Sequence, residues 1–243
     1  MSGARILMEL SLTWLDIAAS LFFVLSWAGY ALFAQWRSKA VPTLHNTMDG
    51  YRRLWMVRMI ERDNRMVDVN IMRNLTRSSQ FFASTTMLVL GALIALMGYV
   101  QQALDVVSGL PFTVKASQRL LEIKIMLMVL IFVYAFFKFS WAIRQLGFCS
   151  MLIGAAPKQP KDNPEQYAAE INRLAAVTSY AGTNFNDGLR AYYFALAAMT
   201  WFLHPYLMLI ATAWVVYVLY HREFESRTLY ALTRDDAAPQ IRT

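Results

Sequence analysis

Four ionisable side chains interrupt apolar runs of this sequence: Asp16, Lys124, Lys138 and His204. A charge held in hydrocarbon is costly, so by default it marks an ion, proton or solute route. Lys124 and Lys138 are fourteen residues apart, which at 100° per residue leaves them within about 40° of one helical face, shared with Ile131. They could line a charged solute path. Equally, each lies about 10 Å from the midpoint of its run, where a lysine stem can carry its ammonium to the headgroups. Asp16 sits about one turn inside its run, where a carboxylate also reaches the interface. His204 precedes Pro205, whose missing amide leaves the Trp201 carbonyl without a helical partner, and a neutral imidazole could donate to that oxygen.

A second grouping, Asn184, Asn186, Asp187 and Arg190, gathers polar side chains just before the last apolar stretch. It is the one constellation near an interface from which an intramembrane enzyme could be built. Known catalytic signatures are missing: the sequence has no HExxH, no paired cysteines, no phosphate-cradling glycine loop and no serine elbow. His45, His204 and His221 fall in different segments, with only His45 and Asp49 spaced i,i+4. No metal, cofactor or catalytic residue is therefore expected, and the single Cys149 can form no internal disulfide.

The elements that must position these residues are apolar helices. Of the 243 residues 57% are hydrophobic and 16% charged, a balance of polytopic membrane proteins rather than soluble domains. The net charge of +7 resides between the apolar runs, as the positive-inside rule requires, so nucleic acid is not the expected partner. One all-α membrane domain, a polytopic transmembrane helix bundle with amphipathic cytoplasmic helices, is expected over 1–243, with spans near 13–34, 80–100, 120–143 and 190–220. The first run is too long for a signal-peptide core and is read as a span, bracketed by Trp14 and Trp36 as interfacial anchors.

The segment 35–79 carries nine basic residues against four acidic and is expected in the cytoplasm, as is 144–189. No Gly or Pro occurs from Tyr51 to Leu90, so one amphipathic helix is expected through Met56–Leu75. Arg58, Arg62 and Arg65 lie on its polar face. It could lie on anionic lipid with Trp55 and the methionines immersed, or cover the inner ends of the bundle. Ser84, Gly91, Ala95 and Gly98 form a small-residue packing face on the second span. A turn is expected at Ser108-Gly109-Leu110-Pro111, with Lys115 in a short outer loop. A helix capped by Asn163 and Pro164 is expected to end at Gly182.

The last apolar stretch, Arg190 to Tyr220, is 31 residues long, about 46 Å as one helix against a core of roughly 30 Å. A single crossing kinked at Pro205 gives four spans and places His204 at mid-bilayer. A hairpin turning at His204-Pro205 gives five, with arms of about 23 Å that are short for a span. Four spans with an outer amino terminus leave 14 basic residues inside and 7 outside; five leave 18 and 3. Arm length favours four, the expectation adopted, and charge favours five.

The stretches RMVDVNIMRNLTRSSQFFASTT (Arg65 to Thr86) and NFNDGLRAYYFALAAMTWFLHP (Asn184 to Pro205) resemble the bacterial and plant membrane family catalogued as domain of unknown function 599. The resemblance extends over about Leu15 to Leu229. It implies an integral membrane protein, in a bacterial inner membrane, and implies no activity, cofactor or catalytic residue. The function expected is a non-enzymatic scaffold or accessory subunit contacting the bilayer, anionic lipid at the basic helix, and a membrane-protein partner or a second copy. The alternative is an oligomeric small-solute transporter or channel lined by Lys124, Lys138, His204 and Asp16.

Overall fold

The computed structural model describes residues 13–108, 117–157 and 164–233, which are helical almost throughout and contain no strand. Helix α1 (Trp14–Arg37) begins at a reciprocal cap: Asp16 N donates to Thr13 Oγ1 at 3.2 Å and Thr13 N donates to Asp16 Oδ2 at 3.1 Å. This is a capping box with aspartate as the third helical residue. Thr43 caps α2 (Leu44–Glu61) by accepting from Asn46 N at 3.1 Å. There follow α3 (Met66–Gly98), α4 (Val100–Ser108), α5 (Gln118–Ala155) and α6 (Pro164–Met199). A 3-10 turn over Thr200–Phe202 leads to α7 (Pro205–Phe224) and α8 (Arg227–Thr233). The turn centred on Gly109-Leu110-Pro111, Lys115 and the Asn163 cap lie outside the described residues; Pro164 does open its helix.

The single helix expected through Met56–Leu75 is two. Arg62 is extended (φ −82°, ψ 135°) and its amide returns to Met59 O. The Asn64 side chain then takes the Met66 amide at 2.9 Å. A local side-chain bond of this kind competes with the helix ladder, so a break forms without Gly or Pro. In the other direction, α6 does not stop at Gly182 but continues to Met199. Two of its glycines admit neighbours instead: a Cβ at Gly182 would meet the Arg52 guanidinium, and one at Gly188 would stand 2.6 Å from the Phe139 ring.

The chain forms two compact units. Unit 1 comprises Met1–Arg37, Thr85–Phe136 and Leu189–Leu219. Its interior is aromatic, with Phe194 stacked on Trp27 at 5.5 Å and edge-on to Phe23 at 5.7 Å. Val100, Leu121 and Ile125 form a second cluster. Unit 2 comprises Ser38–Ser84, Phe137–Gly188 and Tyr220–Thr243. Its core joins Met56, Met59 and Ile60 of α2 to Met72, Leu146, Cys149, Ile153 and Leu174. The methionine face of α2 is thus buried in protein rather than immersed in lipid, and α2 also packs on α8.

Three helices, Trp14–Arg37, Met66–Gly98 and Gln118–Ala155, are long and apolar enough to cross a membrane. Within them 17%, 11% and 44% of the apolar window is buried, so α5 is the most buried of the three and α1 and α3 turn most of that window outward. The small-residue face of α3 belongs to that outward surface. Its buried stripe is Ala83, Thr86 and Leu90, whereas Ser84, Gly91, Ala95 and Gly98 are exposed. No atom lies within 4 Å of where a Cβ would stand at Gly91 or Gly98. The small-residue packing face expected on this helix meets no other element of the chain at Gly91 or Gly98.

The stretch 190–220 reverses direction. Thr183 Oγ1 lies 3.1 Å from His45 Nε2, and His45 N donates to Glu223 Oε1 at 3.3 Å. Residues 183 and 223 therefore approach within a few side-chain lengths, whereas 40 residues of unbroken helix would separate them by about 60 Å. The stretch is a helical hairpin turning at residues 200–205 rather than one continuous Pro-kinked helix.

Phe139 is held by stacking on Phe82 (5.4 Å) and by the edge of Phe185 (5.7 Å), so its ring cannot yield to a methyl group at position 188. Gly188→Ala is expected to destabilise the detergent-solubilised protein by about 1–3 kcal/mol, the usual cost of overpacking. Gly91→Ala, with open space around it, is expected to be neutral or slightly stabilising; parallel thermal denaturation of the two variants checks the contrast.

Candidate functional site

The hairpin turn creates the first polar site. Leu203 N and His204 N both donate to Thr200 O, closing the 3-10 turn, and Pro205 then starts α7. Proline has no amide to give the Trp201 carbonyl, and a bare carbonyl in a buried turn is costly. Lys124 supplies the donor: its Nζ lies 2.8 Å from Trp201 O and 5.2 Å from the centroid of the same indole. The indole Nε1–H in turn donates to Asp16 Oδ1 at 2.9 Å. Thr13 Oγ1 donates to Asp16 Oδ2 at 2.6 Å. One tryptophan therefore joins a buried ammonium to a buried carboxylate, linking α1, α5 and the turn. Lys124 is 5% exposed and Asp16 3%, so both are held within the chain.

His204 has a different task from the one expected. Its ring does not donate to the Trp201 carbonyl; Nδ1 accepts from Tyr206 N at 3.2 Å. His204 O accepts from Leu207 N and Met208 N. The residue is the N-cap of α7, with Pro205 at the first helical position, and its ring stacks on Tyr206 at 5.3 Å.

In unit 2 the second lysine is also paired. Lys138 Nζ lies 2.8 Å from Asp187 Oδ2 and 3.2 Å from Asn184 Oδ1. Asn184 Nδ2 reaches Tyr180 O at 2.9 Å and lies 2.9 Å from the Gln145 amide. The side chains of the ion pair are 29% and 21% exposed, so this cluster, unlike the first, keeps contact with its surroundings. Of the remaining members, Asn186 is exposed, and the Arg190 guanidinium lies over the Tyr30 ring at 5.4 Å in unit 1.

Arg58, Arg62 and Arg65 do not share one helical face, because the helix ends at Glu61 and the next begins at Met66. Arg62 Nη1 donates to the fully buried Asp68 at 2.6 Å, beside the Trp55 indole at 2.7 Å. Arg65 bonds Ile153 O, Ala156 O and Pro157 O at 2.8, 2.8 and 3.0 Å. Those oxygens lie at and just beyond the end of α5, where carbonyls lack helical donors and the dipole favours a cation. Only Arg58 stays exposed. Breaking the helix at 62–65 gives the other two arginines partners within the chain.

Trp201, Thr13, Gln145 and Asp68 were not singled out by their types. A readable signal existed for Thr13, since Thr13-x-x-Asp16 has capping-box spacing. Among the described residues, no group of three or more His, Cys, Asp or Glu side chains could hold a metal ion.

Helices of this length and apolarity, with their ionisable groups joined to one another, define an all-α integral membrane protein. The chain belongs to the family described as Protein of unknown function, DUF599, whose model matches residues 18–228. No curated protein and no solved structure matches it.

Removing Lys124 leaves the Trp201 carbonyl without a donor and the Asp16 carboxylate without a nearby counter-charge. Lys124→Met and Asp16→Asn are each expected to cost about 1–3 kcal/mol, as for an orphaned buried polar group. The double variant should cost less than the sum, because each single change already disables the same connection. Equilibrium unfolding of the four proteins in one detergent measures the coupling.

Proposed function

We propose that this protein is a non-enzymatic scaffold or accessory subunit of the cell membrane, in bacteria the inner one. It crosses five times, with the amino terminus outside and the carboxyl terminus in the cytoplasm. One observation carries the reading: Asp16, Lys124 and Lys138, the charges from which a solute route would be built, are each bonded within the chain, and His204 caps a helix. Groups spent on holding helices together are not poised to hand on an ion.

The hairpin supports the fifth crossing, and the resulting distribution of 18 basic residues inside against 3 outside agrees with the positive-inside rule. Helices α3 and α5 have 33 and 38 residues, about 50 and 57 Å, so about 20 and 27 Å of them would stand clear of a core of roughly 30 Å. The cytoplasmic parts of these helices, with α2 and α8, supply the surface for a soluble or membrane-bound partner. The outward small-residue face of α3 suits close approach of another transmembrane helix, from a partner or a second copy.

A reporter active only in the cytoplasm, fused after Thr243, is expected to be active; silence would return the topology to four crossings. Purified protein in liposomes is expected to leave proton, potassium and chloride gradients undisturbed, as read by pH- and potential-sensitive dyes. A leak abolished by Lys124→Met or Lys138→Met would instead make the protein a conductor.

A further inference from the structure

We propose that His204 is an acid-sensitive latch at the tip of the α6–α7 hairpin. The bond that caps α7 runs from Tyr206 N to His204 Nδ1, so Nδ1 must be an unprotonated acceptor and Nε2 carries the ring hydrogen. Protonation converts Nδ1 into a second donor facing the Tyr206 amide. The cap is lost, and a cation is placed at a helix N-terminus, where the dipole opposes it.

On the topology proposed above the turn lies at the outer face, and histidine is the side chain whose charge mild acid most readily changes. The Tyr206 ring, stacked at 5.3 Å, holds the imidazole in place and as an aromatic face tolerates the cation, which moderates the effect without restoring the acceptor. Two charged groups of other helices are bonded to Trp201 in this turn, Lys124 on α5 and Asp16 on α1. His204 N itself closes the turn onto Thr200 O. Loosening the cap therefore frees the loop that presents Trp201 to both buried charges, and acidification outside reaches the packing of α1, α5 and α7.

Hydrogen exchange on the full chain in lipid nanodiscs tests this, at pH 7.5 and 5.5 with intrinsic rates corrected. In the wild type, protection of the amides of residues 206–208 is expected to fall about tenfold at the lower pH, the combined size of a lost cap and an unfavourable terminal charge. His204→Asn, a cap that does not titrate, should keep its protection at both pH values, and His204→Ala should be weakly protected at both. Unchanged protection in the wild type would overturn the proposal. An equal fall in His204→Asn would do so too, assigning the acid response to another group. The Asn variant preserves the cap, so the result stands even if the Ala variant fails to fold.

Discussion

The carbonyl of Trp201 has no amide to receive, because the residue four positions on is proline. In water that would matter little; in a buried turn of a membrane protein the oxygen must find a donor inside the chain. The donor is the ammonium of Lys124 at 2.8 Å. Much of unit 1 follows from this contact. It sets where α5 stands against the hairpin tip, orients the Trp201 indole towards Asp16, and so connects the first turn of α1 to the last turn before α7. A lysine and an aspartate that would each be expensive alone are held near one residue that offers an acceptor to one and a donor to the other.

The same economy recurs in unit 2 with other chemistry. At and just beyond the end of α5, the planar fork of Arg65 takes three carbonyls at once. A lysine could not do this with a point charge, whereas guanidinium presents several donors in fixed directions. Arg62 is held three residues earlier by the buried Asp68, which also takes the Trp55 indole. The short break between α2 and α3 is thus fixed from both sides, and α2 folds onto a core that includes Leu146 and Cys149.

How far the sequence reveals this depends on whether a cue is local. Apolar runs are local, so α1, the apolar part of α3 and α5 are legible from composition. Pro205 freeing the Trp201 carbonyl is local too. Its partner is not: Lys124 lies 77 residues away, and nothing in its own neighbourhood distinguishes an ammonium bound inward from one that snorkels. The helix break at 62–65 was hidden for a related reason, because Asn64 is unremarkable until its side chain is seen to take the Met66 amide. Gly182 misled in the opposite sense. A glycine at the end of a polar helix reads as a stop, but here the absent Cβ makes room for Arg52, a neighbour from a different helix.

The hairpin shows which kind of sequence information survives when local cues conflict. Arm length argued against two crossings, because each arm alone is short for a bilayer core. That argument assumed that a span begins where apolarity begins. In the structure α6 runs unbroken through Asn184, Asp187 and Arg190 into the apolar stretch, and these polar residues are partnered rather than exposed to hydrocarbon: Lys138 answers Asp187 and Asn184, and the Tyr30 ring lies under Arg190. A helix whose polar turn is satisfied by its neighbours can run on into an apolar stretch without a break at the change in composition. The distribution of basic residues makes no assumption about where a helix starts. It depends only on which segments share a side, and for that reason it pointed to the reversal that the Thr183, His45 and Glu223 contacts require.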